Sequence, residues 1–277
     1  MRILLTGALG QLGMALQLAL DKHDVIPLRK DDLNIADFEQ VRTVVERARP
    51  DCILNVAAYT DVDGAETNVS LAYAVNALGP RNLAVVAGAH DIPLVHVSTD
   101  YVFDGRSSVP YHEFDRLNPL SVYGASKLAG EEAIRGLHRR HFIARTAWLY
   151  HTVGRNFPRT ITALASQPLV RVVNDQVGSP TYAPHLASAL ARLLDTTAYG
   201  TYHLAGQGQA TWYELTCELY RQLGIATPVE PVKSSDFPRP AQRPRFAALT
   251  TLQSPCIRLP PWQEGVAEYA SCILAVK

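Results

Sequence analysis

The sequence predicts an α/β protein: a doubly wound parallel sheet with a smaller C-terminal lobe. Three observations predict it. Short apolar runs alternate with helical patterns through the first 150 residues, a glycine-rich turn joins the first run to the first helix, and the second half breaks into shorter, proline-rich pieces. Strands alternating with helices make βαβ units with right-handed crossovers. Such sheets bind ligands beyond the carboxyl ends of their strands.

Strands are expected at Arg2–Thr6, Asp24–Leu28, Cys52–Ala57, Leu94–Ser98 and His141–Arg145, each a short apolar run. Helical spacing covers Gly10–Leu20, Asp37–Ala48, Leu71–Ala89 and Tyr123–Leu137 between them. Further on, Val170–Val173 reads as a strand, Tyr182–Leu194 as a helix, and Thr211–Leu223 as a helix opened by its threonine. The prolines between Ser234 and Pro244 exclude a continuous helix there. Residues 1–150 are therefore expected to form a nucleotide-binding domain to which a segment near 168–198 returns. Residues 151–277 are expected to form mainly the lobe that walls a substrate cleft.

Composition narrows the function classes. The 277 residues are 47% hydrophobic and 19% charged, with 26 basic against 26 acidic side chains. That is enough apolar material for a large core, and no basic excess calls for nucleic acid or an anionic membrane. No apolar stretch approaches a membrane span and no leader is expected ahead of the first strand, so a cytoplasmic location is predicted. Cys52, Cys217, Cys256 and Cys272 lack metal or redox spacing and are read as free thiols.

The turn Gly7-Ala8-Leu9-Gly10-Gln11-Leu12-Gly13 follows a strand and opens a helix. In that context the first glycine permits the tight turn and the second lets the backbone approach a pyrophosphate. The third lets helix and strand pack closely, leaving phosphates against free N–H groups at the positive helix end. The expected fold is thus Rossmann-like. At the tip of the second strand stands Arg29 rather than an acid, which favours the extra phosphate of NADPH; Asp31 and Asp32 leave NADH open.

About a hundred residues later come Tyr123 and Lys127, one helical turn apart on one face. With 12 tyrosines and five lysines (Lys22, Lys30, Lys127, Lys233 and Lys277), chance alone gives about 0.2 such pairs, so the pair gains meaning from its company. A phenol titrates near 10, and a neighbouring ammonium is expected to lower that value, making Tyr123 a proton donor. The Leu94–Ser98 strand ends in the polar run Ser98-Thr99-Asp100, whose hydroxyls can hold a carbonyl oxygen.

These residues carry a resemblance. The chain resembles the extended short-chain dehydrogenases/reductases and, within them, the dTDP-4-dehydrorhamnose reductase family. The matching pieces run almost end to end: the glycine turn, Asn55–Thr60, Val97–Gly105, Pro119–Gly124, Arg145–Tyr150, Asn174–Thr181, Gly200–Leu204, Arg243-Pro244 and Leu259–Trp262. The resemblance implies a catalytic trio of Thr99, Tyr123 and Lys127. Tyr123 would protonate a C4 oxygen while NADPH reduces C4, Thr99 would orient the carbonyl, and Lys127 would hold the nicotinamide ribose. It implies cofactor contacts from Gly7, Gly10, Gln11, Leu12, Arg29, Asn34, Ile35, Ala57, Ala58, Tyr59 and Asn76. Substrate contacts would come from Thr60, Val62, Asp100, Tyr101, Phe103, Trp148 and Asn156, and from residues near Gln176–Thr181.

One departure bears on assembly. Metal-dependent dimeric members carry a glutamate two residues after the third glycine, where this chain has Ala15, and the sequence ends at Lys277 soon after Glu268. Lacking those hard oxygen ligands, the chain is expected to hold no structural metal and to be a monomer. The partner expected is a small nucleotide sugar. Three further readings share the fold: a 4-ketoreductase for another nucleotide-linked deoxysugar, a binding-only subunit like the regulatory subunit of methionine adenosyltransferase, and an epimerase or dehydratase. The complete trio argues against the second. The third is disfavoured because Tyr101, not glutamate, follows Asp100.

Overall fold

The computed structural model describes residues 1–275; the terminal Lys277 lies outside the described residues. The chain opens β1 (Arg2–Thr6), α1 (Gln11–Ala19), β2 (Asp24–Leu28), α2 (Phe38–Ala48), β3 (Cys52–Asn55), then short α3 (Val62–Ala65) and α4 (Val69–Tyr73). It continues through α5 (Gly79–Ala89), β4 (Leu94–Thr99), α6 (Val122–Leu137) and β5 (His141–Thr146). The second half brings β6 (Leu149–Tyr150), α7 (Phe157–Ala163), β7 (Val170–Val173), β8 (Val177–Gly178), β9 (Thr181–Tyr182) and α8 (Ala183–Leu194). Last come β10 (Gly200–His203), β11 (Ala210–Thr211), α9 (Trp212–Leu223), β12 (Val229–Val232) and α10 (Trp262–Ala275).

Six parallel strands form the main sheet in the order β10-β5-β4-β3-β1-β2. The order reverses between β1 and β3, which sets the ligand crevice at their carboxyl ends. Alternation along β1 explains the two layers. Ile3 and Leu5 face α1 and α8, with Leu16, Leu186 and Leu190, while Leu4 faces α2, α5 and α6, with Val41, Leu83 and Ile134. A third cluster, from Tyr150 and Ile161 to Leu219 and Tyr269, is the core of the C-terminal lobe.

Several expectations change in detail. The sixth strand, β10, was not foreseen: Gly200–His203 is only four residues long and carries no apolar run. Of the segment near 168–198, helix α8 lies against α1, whereas β7 pairs with β12 in a separate two-stranded sheet. The long helix expected over Leu71–Ala89 is interrupted by a π-turn at Ala74–Leu78. That turn carries Asn76 inward to full burial, and Gly130 is the residue that leaves room for its carbonyl against α6. Thr211 does open α9, in a reciprocal capping box with Glu214.

Helix α6 is anchored by charge. Glu131 and Arg145 are both fully buried and meet through paired bonds of 3.0 Å (Nε to Oε1) and 2.7 Å (Nη2 to Oε2), with Arg135 adding a second cation. Removing one partner of such a pair strands the other charge. Glu131→Gln, which keeps the shape, is therefore expected to lower unfolding stability by about 3–5 kcal/mol in urea melts followed by circular dichroism. A loss below about 1 kcal/mol would show that the pair is not the anchor.

Candidate active site

The glycine turn is built from close approaches. Gly7 has a positive φ of 70°, and a Cβ there would lie 2.7 Å from the Ala57 nitrogen at the end of β3. A Cβ on Gly13 would overlap the Gly7 carbonyl. Gly10 caps α1 with no side-chain bond, so the first N–H groups of the helix remain available to a ligand. This cradle fits a dinucleotide pyrophosphate. At the β2 tip, exposed Arg29 is held by Asp32 through bonds of 2.9 and 3.2 Å, and that contact holds the Asp32 carboxyl down at about 2. Asn34 turns the chain after it, its side chain accepting from Ala36 N, while Ile35 packs into the core and gives its carbonyl to Asn82.

The reactive groups gather beyond β4. Thr99 donates from Oγ1 to Asp100 at 3.0 Å and accepts from the Tyr101 N–H. The Tyr101 carbonyl abuts Gly124, so the turn after β4 and the first turn of α6 touch through a position only glycine fits. Two caps open α6: Ser121 accepts from Gly124 N, and Glu66 Oε1 accepts from Val122 N at 2.9 Å. The Tyr101 and Tyr123 rings meet edge to face at 5.5 Å.

The protonation pattern differs from the one expected for the tyrosine. Burial pushes Tyr123 up to about 12, opposed by a Thr99 hydrogen bond and reinforced by Asp100. Lys127 does not lower it. Its Nζ instead donates to the Val97 carbonyl at 2.7 Å and lies 3.2 Å from His96 Nε2, while burial brings its own value down to about 8 against the pull of Glu131. Burial likewise lifts Asp100 to about 7, and its Oδ2 has no partner.

The structure brings Thr99, Asp100, Tyr101 and Tyr123 together beyond β4, with Lys127 one turn along α6 and bonded to the Val97 carbonyl; Val62 opens α3 and Thr60 lies in the loop before it. Three residues expected to touch ligand are otherwise engaged. Phe103 is fully buried, stacked on Tyr111 at 4.2 Å, so it supports the site from the core. Asn76 spends its amide on the backbone N–H and carbonyl of Tyr59 and on Ser126 Oγ, so it shapes the loop of Ala57, Ala58 and Tyr59. Asn156 caps α7 at Arg159 N and donates to Gln11 Oε1 at 2.8 Å and to the His151 carbonyl, tying the far wall to the glycine turn.

Trp148 adopts a positive φ of 46° and lies flat on Trp212, centroids 3.4 Å apart, with Gly178 against its edge. Trp212 in turn is bonded to Gln176 and flanked by Phe157. Sequence reading missed Trp212, and equally Asp63, whose carboxylate takes a bidentate pair from Arg243 at 3.1 and 3.0 Å between the two halves. These pairings are 64 and 180 residues apart in sequence, so no local pattern signals them. Ala15 is buried between α1 and α8, and among the described residues no three His, Cys, Asp or Glu side chains gather as a metal site. No described helix is long and apolar enough to cross a membrane.

The family described as "RmlD substrate binding domain" matches residues 1–274. The dTDP-4-dehydrorhamnose reductase of Mycobacterium tuberculosis (strain CDC 1551 / Oshkosh) is 40% identical, over 96% of this chain and 91% of that protein. The dTDP-4-keto-6-deoxy-D-glucose reductase of Streptomyces niveus is 42% identical, over 90% of this chain and 88% of its own. The crystal structure of dTDP-4-dehydrorhamnose reductase from Bacillus anthracis in complex with NADP superposes with a TM-score of 0.94 at 39% identity, covering 97% of this chain and 98% of that one.

The buried Asp100 makes a pH-dependent stability prediction. Its folded value stands above the usual carboxylate value near 4, so between about pH 4 and 7 the folded state holds a proton that the unfolded chain releases. Stability from this group is present at the acid end and lost as pH rises through 7. Asp100→Asn removes that loss and should raise Tm at pH 8 by a few degrees while flattening the slope between pH 4 and 7. An unchanged slope in calorimetry would contradict the assignment.

Proposed function

This chain belongs to the RmlD substrate binding domain family, and on that premise we propose that it reduces the C4 keto group of dTDP-4-dehydrorhamnose to dTDP-L-rhamnose with NADPH. One observation carries the proposal: Thr99, Tyr123 and Lys127 converge at the carboxyl end of β4, on the same edge of the sheet as the glycine cradle. NADPH, when bound, supplies the hydride that C4 receives.

The remaining steps belong to the protein. Backbone N–H groups at Gln11 and Leu12 would hold the pyrophosphate, with Gly10 letting the backbone come close to it while its own N–H is bonded to the Gly7 carbonyl. Arg29, turned from Asp32, would take the 2′-phosphate, and Lys127 would take the ribose. Asn34, Ala57, Ala58 and Tyr59 would line the nucleotide, with Ile35 behind them in the core and Asn76 fixing Tyr59. Thr99 Oγ1 orients the C4 oxygen, and the Tyr123 hydroxyl gives that oxygen its proton, becoming a phenolate that solvent reprotonates. Thr60, Val62, Asp100 and Tyr101 shape one wall around the sugar, and Trp148, backed by Trp212, the other, with Asn156 holding its loop.

A second reading is favoured by the Streptomyces niveus relative: the same chemistry on another nucleotide-linked 4-keto-6-deoxy sugar. Purified protein, NADPH and the 4-keto sugar nucleotide, followed at the nicotinamide absorbance, test both readings, and NMR of the product sugar separates them. No oxidation of NADPH with either substrate would overturn the proposal. Tyr123→Phe is expected to lower kcat by about 10²–10⁴ while NADPH still binds by fluorescence titration. Because Lys127 is charged below about 8 and neutral above, wild-type turnover should fall as pH rises through that value.

We also propose that the protein is a cytoplasmic monomer. Ala15, in the α1–α8 contact, offers no carboxylate to a bridging metal. Sedimentation equilibrium should give a monomer with and without EDTA; a dimer dissolved by EDTA would reverse the proposal.

A further inference from the structure

Beneath the reactive lysine runs a line of buried polar side chains that an ordinary sheet would fill with hydrocarbon. Thr6, Asn55 and His96 sit in register on β1, β3 and β4, and all three are buried on the face that α6 covers. Thr6 Oγ1 bonds Asn55 Oδ1 at 2.6 Å, Asn55 Nδ2 bonds His96 Nδ1 at 2.9 Å, and His96 Nε2 ends 3.2 Å from Lys127 Nζ. Three hydrogen-bonding side chains in a row cost stability unless each is paired, so a packing role alone would have favoured aliphatic residues.

We propose that His96 is a positioning residue for the reduction: its neutral imidazole, fixed by Asn55, accepts from Lys127 and, with the Val97 carbonyl, aims the lysine at the cleft and holds its proton. The inference rests on the reading of Lys127 as a cofactor- and proton-holding group given above.

The hydrogen-bond chemistry selects one tautomer. An ammonium is a donor only, so Nε2 must offer its lone pair and Nδ1 must carry the hydrogen. That tautomer requires the Asn55 amide with its oxygen and nitrogen exchanged relative to the positions given above, so that its oxygen accepts from Nδ1 and its NH₂ faces the Thr6 hydroxyl, which accepts as readily as it donates. Two of the three ammonium hydrogens are thereby spent on Val97 and His96, and the third is left for the cleft. Burial, with the neighbouring Lys127 charge, keeps His96 uncharged. The groups facing Lys127 are His96 from β4 and, on α6 itself, Tyr123 and Glu131; Glu131 is neutralised by Arg145 of β5 and by Arg135. His96 is thus the side chain through which the sheet acts on the lysine.

The test reads the lysine directly. The chain has only five lysines, so the Cε resonances of carbon-13-labelled lysine can be followed with pH in the full-length protein, and Lys127→Arg identifies the signal. In His96→Leu the Lys127 midpoint should fall by about one unit, a tenfold shift toward the amine. His96→Gln, whose amide reaches the place of Nε2, should restore the wild-type midpoint. His96→Asn, whose amide reaches only the place of Nδ1, should titrate like the leucine variant. The alkaline limb of kcat should move to lower pH in step with the midpoint. If His96→Leu does not fold, the glutamine and asparagine variants decide between themselves. Equal Lys127 midpoints in those two, or a wild-type midpoint in the leucine variant, would overturn the proposal even if all three melt at lower temperature. A wild-type protein that titrates as expected but oxidises no NADPH would instead overturn the reductase reading and leave the His96–Lys127 coupling standing.

Discussion

The arrangement depends on the buried pair between Glu131 and Arg145. Two opposite charges with almost no exposure are tolerated only when each finds its full set of partners. Arg145 supplies them: its Nη1 reaches His203 Nε2 at 3.3 Å, and His203 passes its Nδ1 hydrogen to the carbonyls of Tyr111 and Thr250. Burial holds His203 near 4, so it meets the guanidinium as a neutral acceptor. Glu113 is subject to the same burial, but N–H groups of Leu252 and His203 and the Thr251 hydroxyl keep it ionised. The edge strand β10, two surface segments and β5 are thereby stitched to α6. Because Glu131 lies one turn beyond Lys127 and two beyond Tyr123, fixing Glu131 sets the height and rotation of both.

A second constraint is steric. Gly124 and Gly130 are contact points of α6, one against the Tyr101 carbonyl and one against the Asn76 carbonyl at the π-turn. A methyl group at either would push the helix from the cleft. The opposite wall is held by unlike means: the Asp63–Arg243 pair, the Gln11–Asn156 bond and the Trp148–Trp212 stack. The pair holds the Asp63 carboxyl below its ordinary value, and Asp63 is itself only partly buried, so solvent discounts the strength of that contact. The cleft thus has one side fixed by helix α6, carrying Tyr123 and Lys127, and one side held by contacts between the two halves of the chain.

This division explains what the sequence disclosed. Local chemistry reads well: β1, β2 and β7 match residue for residue, and the glycine turn and the Thr211 cap announce themselves by spacing. Tyr123 and Lys127 drew notice because one helical turn separates them, whereas the strand end left Ser98 and Thr99 both open and only the resemblance chose Thr99. Strand β10 escaped because it follows His141–Thr146 by more than fifty residues and is only four residues long. Phe103, Asn76 and Asn156, expected at the ligand from the resemblance, are engaged by Tyr111, by Tyr59 and Ser126, and by Gln11 and His151, because a resemblance records which residues recur and not which way each side chain faces. His96 was hidden in the apolar run Leu94–Ser98, where a single polar residue reads as an interruption rather than as the second partner of Lys127.

The charge states then form one argument. At neutral pH Tyr123 keeps its proton, His96 is uncharged, Asp100 is balanced near its midpoint, and Lys127 still carries its positive charge. A donor must hold its proton until the acceptor oxygen gains charge, and burial secures that by making the phenolate costly in the resting state. What is costly at rest has to be stabilised when it forms, and the group that favours the phenolate here is the Thr99 hydrogen bond, already in place before reaction. Lys127 stands one turn further along α6, and its own burial brings it within reach of deprotonation. A lysine in hydrocarbon would lose its charge. A lysine given the Val97 carbonyl, a neutral imidazole and the distant Glu131 keeps it, and the buried polar line across β1, β3 and β4 is the physical means by which the sheet sustains that charge.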